Sequence, residues 1–327
     1  MEKATIKKIG IITSGGDSPG MNACIRAVVR TCLATDIQVV GFYRGYDGLI
    51  DDQHVELTTD KVSNIIHRGG TILKTARSPR FMTKEGIYMA INTIKKHQLD
   101  GFVVIGGDGS FKGALALSEL CPIQLVGCPG TIDNDLVGTD FTIGYDTAIN
   151  TVVDAVDKIR DTAESHDRLF VVEVMGRDAG LIALRSAIGS GAEAMLLPER
   201  KDDFESLISK IKSWRNSKSS RIVIVAEGDE SGGAIKVADA IKKECPSLDV
   251  RVSILGHIQR GGNPTCMERV NASLMGYHAV KALISGKSKV MIGIINKQPA
   301  FTPFKDAVKH INELYPEMLE ILDVLGN

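Results

Sequence analysis

Aromatic residues are scarce, at 5% with a single tryptophan, which argues against a surface built for stacking nucleic-acid bases. An excess of charge is missing too: 39 Lys and Arg against 40 Asp and Glu leave a formal net charge of -1. So balanced a chain has no electrostatic footprint for nucleic acid or an anionic membrane, and any anion site must be a local cluster. No stretch reaches the roughly 20 uninterrupted apolar residues of a membrane helix. The start, MEKATIKKIGIIT, lacks the long apolar core and cleavage site of a signal peptide. Cys24, Cys32, Cys121, Cys128, Cys245 and Cys266 form no CxxC pair and have no zinc-like histidine spacing. They read as buried small hydrophobes. A reduced, cytoplasmic setting is the simplest expectation.

What is present is an ordinary soluble balance, 43% apolar and 24% charged, over 327 residues. That length is enough for two domains. Short β-branched runs alternate with helical patterns: IGIIT, QVVGFY, GFVVIGG, QLVGCP, LFVVEVM, AMLLPE, RIVIVAEG, VRVSILG and VMIGII read as buried strands. Each is short, continuously apolar and closed by Gly, Pro or polar residues, as parallel strands covered on both faces are. Helical stretches include Met21–Ala34, Lys84–His97, Ala148–Ser165, Asp203–Trp214, Ile235–Glu244 and Met267–Ile284. The repeated β-then-α order predicts right-handed crossovers and an α/β fold. The strand count suggests two sheets, with a long helix starting near Asp146 bridging to a second sheet at Leu169. No low-complexity linker separates the halves, so the boundary is crossed more than once.

Three Gly-rich segments follow apolar strands, where loops of a parallel sheet line the ligand crevice. Thr13-Ser14-Gly15-Gly16-Asp17-Ser18-Pro19-Gly20 precedes the helix MNACIRAVVR. Its glycines let backbone N–H groups approach a phosphate, and the helix N-terminus adds positive potential; an ordinary strand-to-helix turn is the alternative. Ile105-Gly106-Gly107-Asp108-Gly109-Ser110 offers backbone to nucleotide phosphates and a hard carboxylate to Mg²⁺, or else a plain capped helix start. Pro129-Gly130-Thr131-Ile132-Asp133-Asn134-Asp135 reads as an extended segment whose two carboxylates, at i and i+2, point to the same side. One could take a proton while the other holds metal, a division of labour suited to phosphoryl transfer. The three occurring together disfavour the reading of the last as an acidic turn.

TSGGDSPGMN, IGGDGS, PGTIDND, VEVMGRDAG and LGHIQRGG, in this order and spacing, resemble the bacterial ATP-dependent 6-phosphofructokinases over nearly the whole chain. The resemblance implies two Rossmann-like three-layer α/β/α domains with mainly parallel sheets and an active site in the cleft between them. The ATP-binding domain would be 1–143 plus about 259–304, and the sugar-phosphate domain 144–258 plus about 305–327. It implies Asp133 as the base for the sugar 1-hydroxyl, Asp108 as a magnesium ligand and Asp135 as the neighbouring metal-placing carboxylate. Thr131 and Arg177 would contact the transferring group, Arg177 offsetting developing charge. Gly16, Arg77, Ser78, Gly107, Gly109 and Ser110 would line ATP. Arg168, Arg251, His257 and Arg260 would hold the 6-phosphate of fructose 6-phosphate, since guanidinium forks suit phosphate oxygens. Met175, Gly176, Glu227 and Ile132 would surround the sugar. In that family Arg168 and Arg251 come from the adjacent subunit, which implies a homo-oligomer, usually a tetramer. His54, His67, His97, His166, His278 and His310 are left as structural or solvent-facing.

Two positions bear on the donor. Pyrophosphate-using relatives carry Asp where this chain has Gly109 and Lys where it has Gly130; glycine at both leaves room for a nucleotide. For an ADP or phosphoenolpyruvate effector site, Arg26, Arg30, Arg160, Gly191, Glu193 and Lys218 match the family pocket. Thr59 stands where that pocket has an arginine, and Asn216 where a basic residue often sits. Competing expectations are a pyrophosphate-dependent relative, a kinase for another sugar phosphate such as tagatose 6-phosphate, and a catalytically silent nucleotide-sensing subunit.

Overall fold

The computed structural model describes residues 6–200, 203–214, 220–309 and 316–325. The chain forms two units, Met1–Thr147 with Arg260–His310, and Ala148–Gln259 with Ile311–Asn327.

In the first unit the chain runs β1 (Lys8–Ser14), α1 (Met21–Leu33), β2 (Gln38–Phe42), α2 (Tyr46–Ile50), β3 (His54–Glu56), α3 (Lys84–Lys96), β4 (Gly101–Gly106), α4 (Asp108–Leu120), β5 (Gln124–Thr131) and β6 (Ile143–Gly144). The helix α5 (Tyr145–Glu164) begins there and continues into the second unit, which adds β7 (Leu169–Val174), α6 (Leu181–Ser190), β8 (Ala194–Leu196), α7 (Asp203–Ser213), β9 (Arg221–Ala226), α8 (Ala234–Glu244) and β10 (Val250–Ile254). The chain then returns to the first unit with α9 (Cys266–Ile284), β11 (Val290–Ile295) and β12 (Gln298–Pro303), and α10 (Pro316–Leu325) packs on α6 of the second.

The first sheet has the order β12-β11-β5-β4-β1-β2-β3, with β6 paired to β5. Its central strands are parallel, and only β3 and β12 pair antiparallel. Apolar side chains alternate to its two faces. Ile9, Ile11, Val103 and Val126 meet α1 and α9 on one face. Ile12, Val104 and Leu125 meet α2, α3 and α4 on the other. The second sheet is fully parallel, in the order β10-β7-β9-β8. This is the doubly covered α/β architecture that the continuous apolar runs imply.

All nine runs read as strands are strands, but VRVSILG is not buried as expected: it forms the edge strand β10, and Ile254 is 51% exposed. Among the cysteines, Cys266 is exposed and Cys245 half-buried, because one opens α9 at the surface and the other ends α8.

Helix starts carry their own sequence logic. Thr83 caps α3 by accepting the Gly86 N–H at 3.1 Å, and Thr265 caps α9 by accepting the Glu268 N–H at 3.1 Å. Glu268 itself does not close a capping box. Its buried carboxylate instead accepts from Thr147 N and Oγ1, both at 3.3 Å, and from the Gly144 N–H. It also sits against Gly20, where a Cβ would lie 2.9 Å from its Cγ.

Burial pushes the Glu268 carboxyl up from 4.5 to about 7. Between those values the unfolded chain has released the proton that the native chain keeps, so stability falls as pH rises and levels off above about 7. We predict that Glu268→Gln removes that slope, worth up to about 3 kcal/mol for a shift of this size. Urea denaturation of both proteins at pH 5 and pH 8 checks this; parallel pH responses would contradict it.

Candidate active site

Parallel register brings the first unit's three Gly-rich loops to one sheet edge. Ser14 lies opposite Gly106 across β1 and β4, and Gly106 lies opposite Pro129 across β4 and β5. β1 and β4 therefore end at one level, β5 runs on two residues to Thr131, and the three loops leave from adjacent strands. The approach is close: a Cβ on Gly106 would lie 2.5 Å from both Ser14 O and Ser110 Oγ, so only glycine fits. Ser110 is buried and donates its hydroxyl to Ser14 O at 3.2 Å, while the Tyr46 hydroxyl donates to Ser110 O at 2.7 Å. Ser110 thus joins the first two loops.

Gly107 and Gly109 differ in kind. Nothing lies within 4 Å of a Cβ at either, so no packing within the chain demands glycine there. The start of α4 opens outward, with Gly107 and Asp108 half-buried and Gly109 exposed. The start of α1 does not: Gly20, Met21 and Asn22 are buried, and Ile143 and Glu268 cover Gly20. The start of α1 is therefore covered, and the accessible part of the first loop is Gly15–Asp17.

A fourth segment stands against the first loop. Thr75 Oγ1 donates to Gly15 O at 2.9 Å, and Gly15 N donates to Ala76 O at 3.3 Å. Arg77, the next residue, is exposed, while the Ser78 hydroxyl bonds Asp47 and accepts from Phe81 N at 3.1 Å. Arg260, which ends a 3-10 turn over Gly256–Arg260, also arrives here. Its Nη1 donates to Asp17 O at 3.2 Å and occupies space that a Cβ on Gly16 would need, 2.9 Å away.

The third loop corrects one expectation: residues 133–135 are not extended. Asn134 adopts a left-handed conformation, φ 52, which asparagine tolerates well. Its side chain fixes the bend, accepting from Thr142 N at 2.7 Å and donating to Asp140 O at 3.1 Å. Asp133 and Asp135 therefore have different surroundings. Asp133 is buried, and its N–H donates to Thr131 Oγ1 at 3.2 Å. Asp135 Oδ2 pairs with Lys309 Nζ at 2.9 Å. Asp108, in the first turn of α4, pairs with Lys112 at 3.1 Å. These are hard oxygen donors that form no preassembled three-ligand cluster among the described residues. That fits Mg²⁺, which keeps waters and phosphate oxygens and takes only one or two carboxylates.

Gly130 has a packing reason as well. A Cβ there would lie 2.8 Å from Met21 Cε and 3.2 Å from Gly106 N, so a larger residue would crowd the junction of the second and third loops.

In the second unit, β7 ends at Val174 and the chain turns sharply at Gly176, φ 144, and Arg177, φ 51. One carboxylate oxygen holds that turn: Glu227 Oε1 accepts from Arg177 N at 2.9 Å and Gly176 N at 3.3 Å. Gly228 leaves room for it, since a Cβ there would sit 1.8 Å from Arg177 O. Gln259, not singled out in the sequence, is fully buried; it accepts from Met175 N at 3.2 Å and donates to Gly256 O at 3.1 Å. It brackets the β7 turn to the 3-10 turn that exposes His257.

Arg168 and Arg251 converge on Asp249, an acceptor that sequence reasoning missed. Arg168 Nε donates to Asp249 Oδ2 at 2.8 Å, and Arg251 Nε lies 2.9 Å from Oδ1. The hydrogen bond from Arg168, reinforced by Arg251, holds the Asp249 carboxyl below the usual range.

Of the effector positions, Arg160, Gly191 and Glu193 come together. Arg160 Nη2 donates to Ser190 O and Gly191 O, each at 2.9 Å, and Nη1 lies 3.6 Å from Glu193 Oε1. Glu193 is buried and accepts from Ile222 N at 2.7 Å, so both side chains already serve the fold. Arg26 and Arg30 lie one helical turn apart on α1, half-buried and exposed, and Thr59 and Lys61 are exposed. Lys218 and Asn216 lie outside the described residues.

Residues 8–283 match the family model described as Phosphofructokinase. A Bacteroides thetaiotaomicron protein named ATP-dependent 6-phosphofructokinase 2 is 52% identical over 323 residues, 98% of this chain and 99% of that relative. A Cytophaga hutchinsonii protein named ATP-dependent 6-phosphofructokinase is 50% identical over 322 residues, 98% of each chain. Among solved structures, Pichia pastoris phosphofructokinase in the T-state superposes with a TM-score of 0.86 at 35% identity, over 94% of this chain; this chain spans 36% of that protein's length. With a family model over most of its length and full-length relatives at half identity, on a fold with three glycine loops at one sheet edge, the chain belongs to the phosphofructokinase family.

Proposed function

We propose that the protein is an ATP-dependent 6-phosphofructokinase, transferring the γ-phosphoryl of ATP to the 1-hydroxyl of fructose 6-phosphate in glycolysis. The observation that carries the reading is the shared edge of the three loops, with the buried carboxylate of Asp133 among them. The names of the full-length relatives support the same donor and acceptor.

The nucleotide half of the reaction is assigned to the first unit. Backbone N–H groups of Gly16, Gly107 and Gly109 bind phosphate oxygens, with Arg77, Ser78 and Ser110 alongside. The open face at Gly107 and Gly109 supports close approach by a ligand. Asp108 and Asp135 would hold Mg²⁺, which offsets phosphate charge when bound. Asp133 takes the proton of the attacking hydroxyl, and Thr131 and Ile132 position the transferring group beside it. The sugar-phosphate half is assigned chiefly to the second unit: Arg177 meets the charge developing on the phosphoryl group, Met175 and Gly176 line the sugar, and Glu227 positions Arg177. His257 and Arg260 bind the 6-phosphate. Arg168 and Arg251 complete that pocket from an adjacent subunit in a homotetramer, exchanging Asp249 for the phosphate. ADP or phosphoenolpyruvate would act at Arg26, Arg30, Arg160, Gly191, Glu193 and Lys218. A cytoplasmic setting accords with this role; no helix among the described residues is long and apolar enough to cross a membrane.

Two outcomes follow. Asp133→Ser lowers turnover with MgATP and fructose 6-phosphate by about 10²–10⁴-fold, the range for losing a general base, with an unchanged circular dichroism spectrum. A coupled assay for fructose 1,6-bisphosphate reads this, and full activity in the variant removes Asp133 from its role. Pyrophosphate in place of ATP supports little turnover; equal rates would reverse the donor assignment.

Glu227→Ala unties the partly exposed Gly176–Arg177 turn by removing the acceptor of two backbone N–H groups, a loss of about 0.5–1.5 kcal/mol. We expect kcat/KM for fructose 6-phosphate to fall about 2- to 12-fold while KM for ATP stays within a factor of two or so. Initial-rate kinetics with each substrate varied in turn checks it, and an equal rise in both KM values contradicts a role confined to the sugar half.

A further inference from the structure

One cluster of metal-ligating side chains lies outside every loop assigned above. Asp52 follows α2, His54 opens β3 and His97 caps the C-terminus of α3, so folding gathers side chains from two stretches more than 40 residues apart in sequence. Asp52 Oδ1 lies 2.9 Å from His54 Nδ1 and 2.6 Å from His97 Nε2, and the backbone carbonyl of Asp52 also stands 2.9 Å from His54 Nδ1, a contact the ring would exchange for an ion. One donor atom from each residue lies within 4.8 Å of the others.

The rings are held rather than loose. His97 stands edge-on to Phe42 with centroids 5.6 Å apart, and His54 lies 4.3 Å from His97 and 6.2 Å from Phe42. The second carboxylate oxygen is already engaged, with Lys96 Nζ 2.6 Å from Asp52 Oδ2. Lys96 therefore orients the carboxylate from its outer side and leaves Oδ1 turned to the imidazoles, as outer partners of metal-binding carboxylates do. Burial is graded: the His97 side chain is 12% exposed, Asp52 22% and His54 37%.

We propose that Asp52, His54 and His97 form a binding site for a divalent transition ion of the zinc class, distinct from the magnesium-binding carboxylates of the reaction. Two imidazole nitrogens and one carboxylate oxygen are borderline donors that suit Zn²⁺, Co²⁺, Ni²⁺ or Cu²⁺ and serve Mg²⁺ poorly. Three protein ligands with a water in the fourth place make an open tetrahedral centre. Ligands about 2.05 Å from such an ion stand roughly 3.3 Å apart, so Asp52 Oδ1 has to separate by about 0.4 Å from His54 Nδ1, now at 2.9 Å, and by about 0.7 Å from His97 Nε2, now at 2.6 Å. A bound ion fastens the end of α3 to the turn between α2 and β3.

The test uses the full-length protein, stripped with a chelator and titrated with Co²⁺ alone. We expect one Co²⁺ per chain with the intense visible absorption of a tetrahedral centre, displaced by one equivalent of Zn²⁺ and not by excess Mg²⁺. His54→Ala, at the most exposed of the three positions, and Asp52→Asn each weaken Co²⁺ at least about tenfold, and His54→Ala leaves MgATP-dependent turnover unchanged. Cys266→Ser leaves the absorption as it was, because the exposed thiol is not a ligand. The proposal is overturned if no tetrahedral absorption develops, if it survives at full affinity in both His54→Ala and Asp52→Asn, or if it vanishes in Cys266→Ser.

Discussion

The shared register of β1, β4 and β5 is the constraint on which the rest depends. Parallel neighbours deliver their carboxyl ends to one edge of a sheet, but only register decides whether their loops meet. Here Ser14, Gly106 and Pro129 stand in line, and the hydroxyl of Ser110 ties the first loop to the second. A slip of one residue would turn Val103 and Val126 out of one core face and Val104 and Leu125 out of the other. The buried apolar surface of those strands thus fixes the register, and the register fixes the loops. Gly106 and Gly130 belong to this contact by packing, whereas Gly107 and Gly109 face open space. Glycines close in sequence therefore do different work: some let the loops touch, and others leave a surface to be approached.

The second unit solves a different problem, that of holding an arginine on a strained turn. A left-handed Arg177 costs roughly 1–2 kcal/mol relative to an ordinary conformation. Two hydrogen bonds to Glu227 Oε1 offset that cost, and the bare α-carbon of Gly228 lets the chains pass. Gln259 adds a fully buried amide that joins the same turn to the segment bearing His257. Burial of the Gln259 amide is tolerable because it pairs with backbone, and the result is a turn with few alternatives.

Much of this was legible in the sequence. The nine apolar runs announced themselves because a strand covered on both faces is continuously apolar. Strands β3, β6 and β12 did not: the first two are of three residues or fewer, and β12, QPAFTP, is an antiparallel edge strand with prolines near both ends. Motif spacing found the loops and the candidate carboxylates. It could not find their acceptors, because Asp249 reaches Arg168 only through β10–β7 pairing and Tyr46 reaches Ser110 across the fold. The same limit hid Asp52, His54 and His97, whose histidines read as structural or solvent-facing, because only the fold brings the α2–β3 turn against the end of α3. The extended reading of residues 133–135 failed for a local reason, the left-handed Asn134. Side-chain hydrogen bonds decided that bend, and strand periodicity carries no trace of them.

Amide hydrogen exchange read by mass spectrometry, with and without MgATP, tests the central claim most directly. The account predicts slowed exchange in the segments around 14–17, 105–110 and 129–132 at the same nucleotide concentration, because one ligand covers one sheet edge. Protection confined to a single loop, or appearing at separate concentrations for different loops, would contradict it.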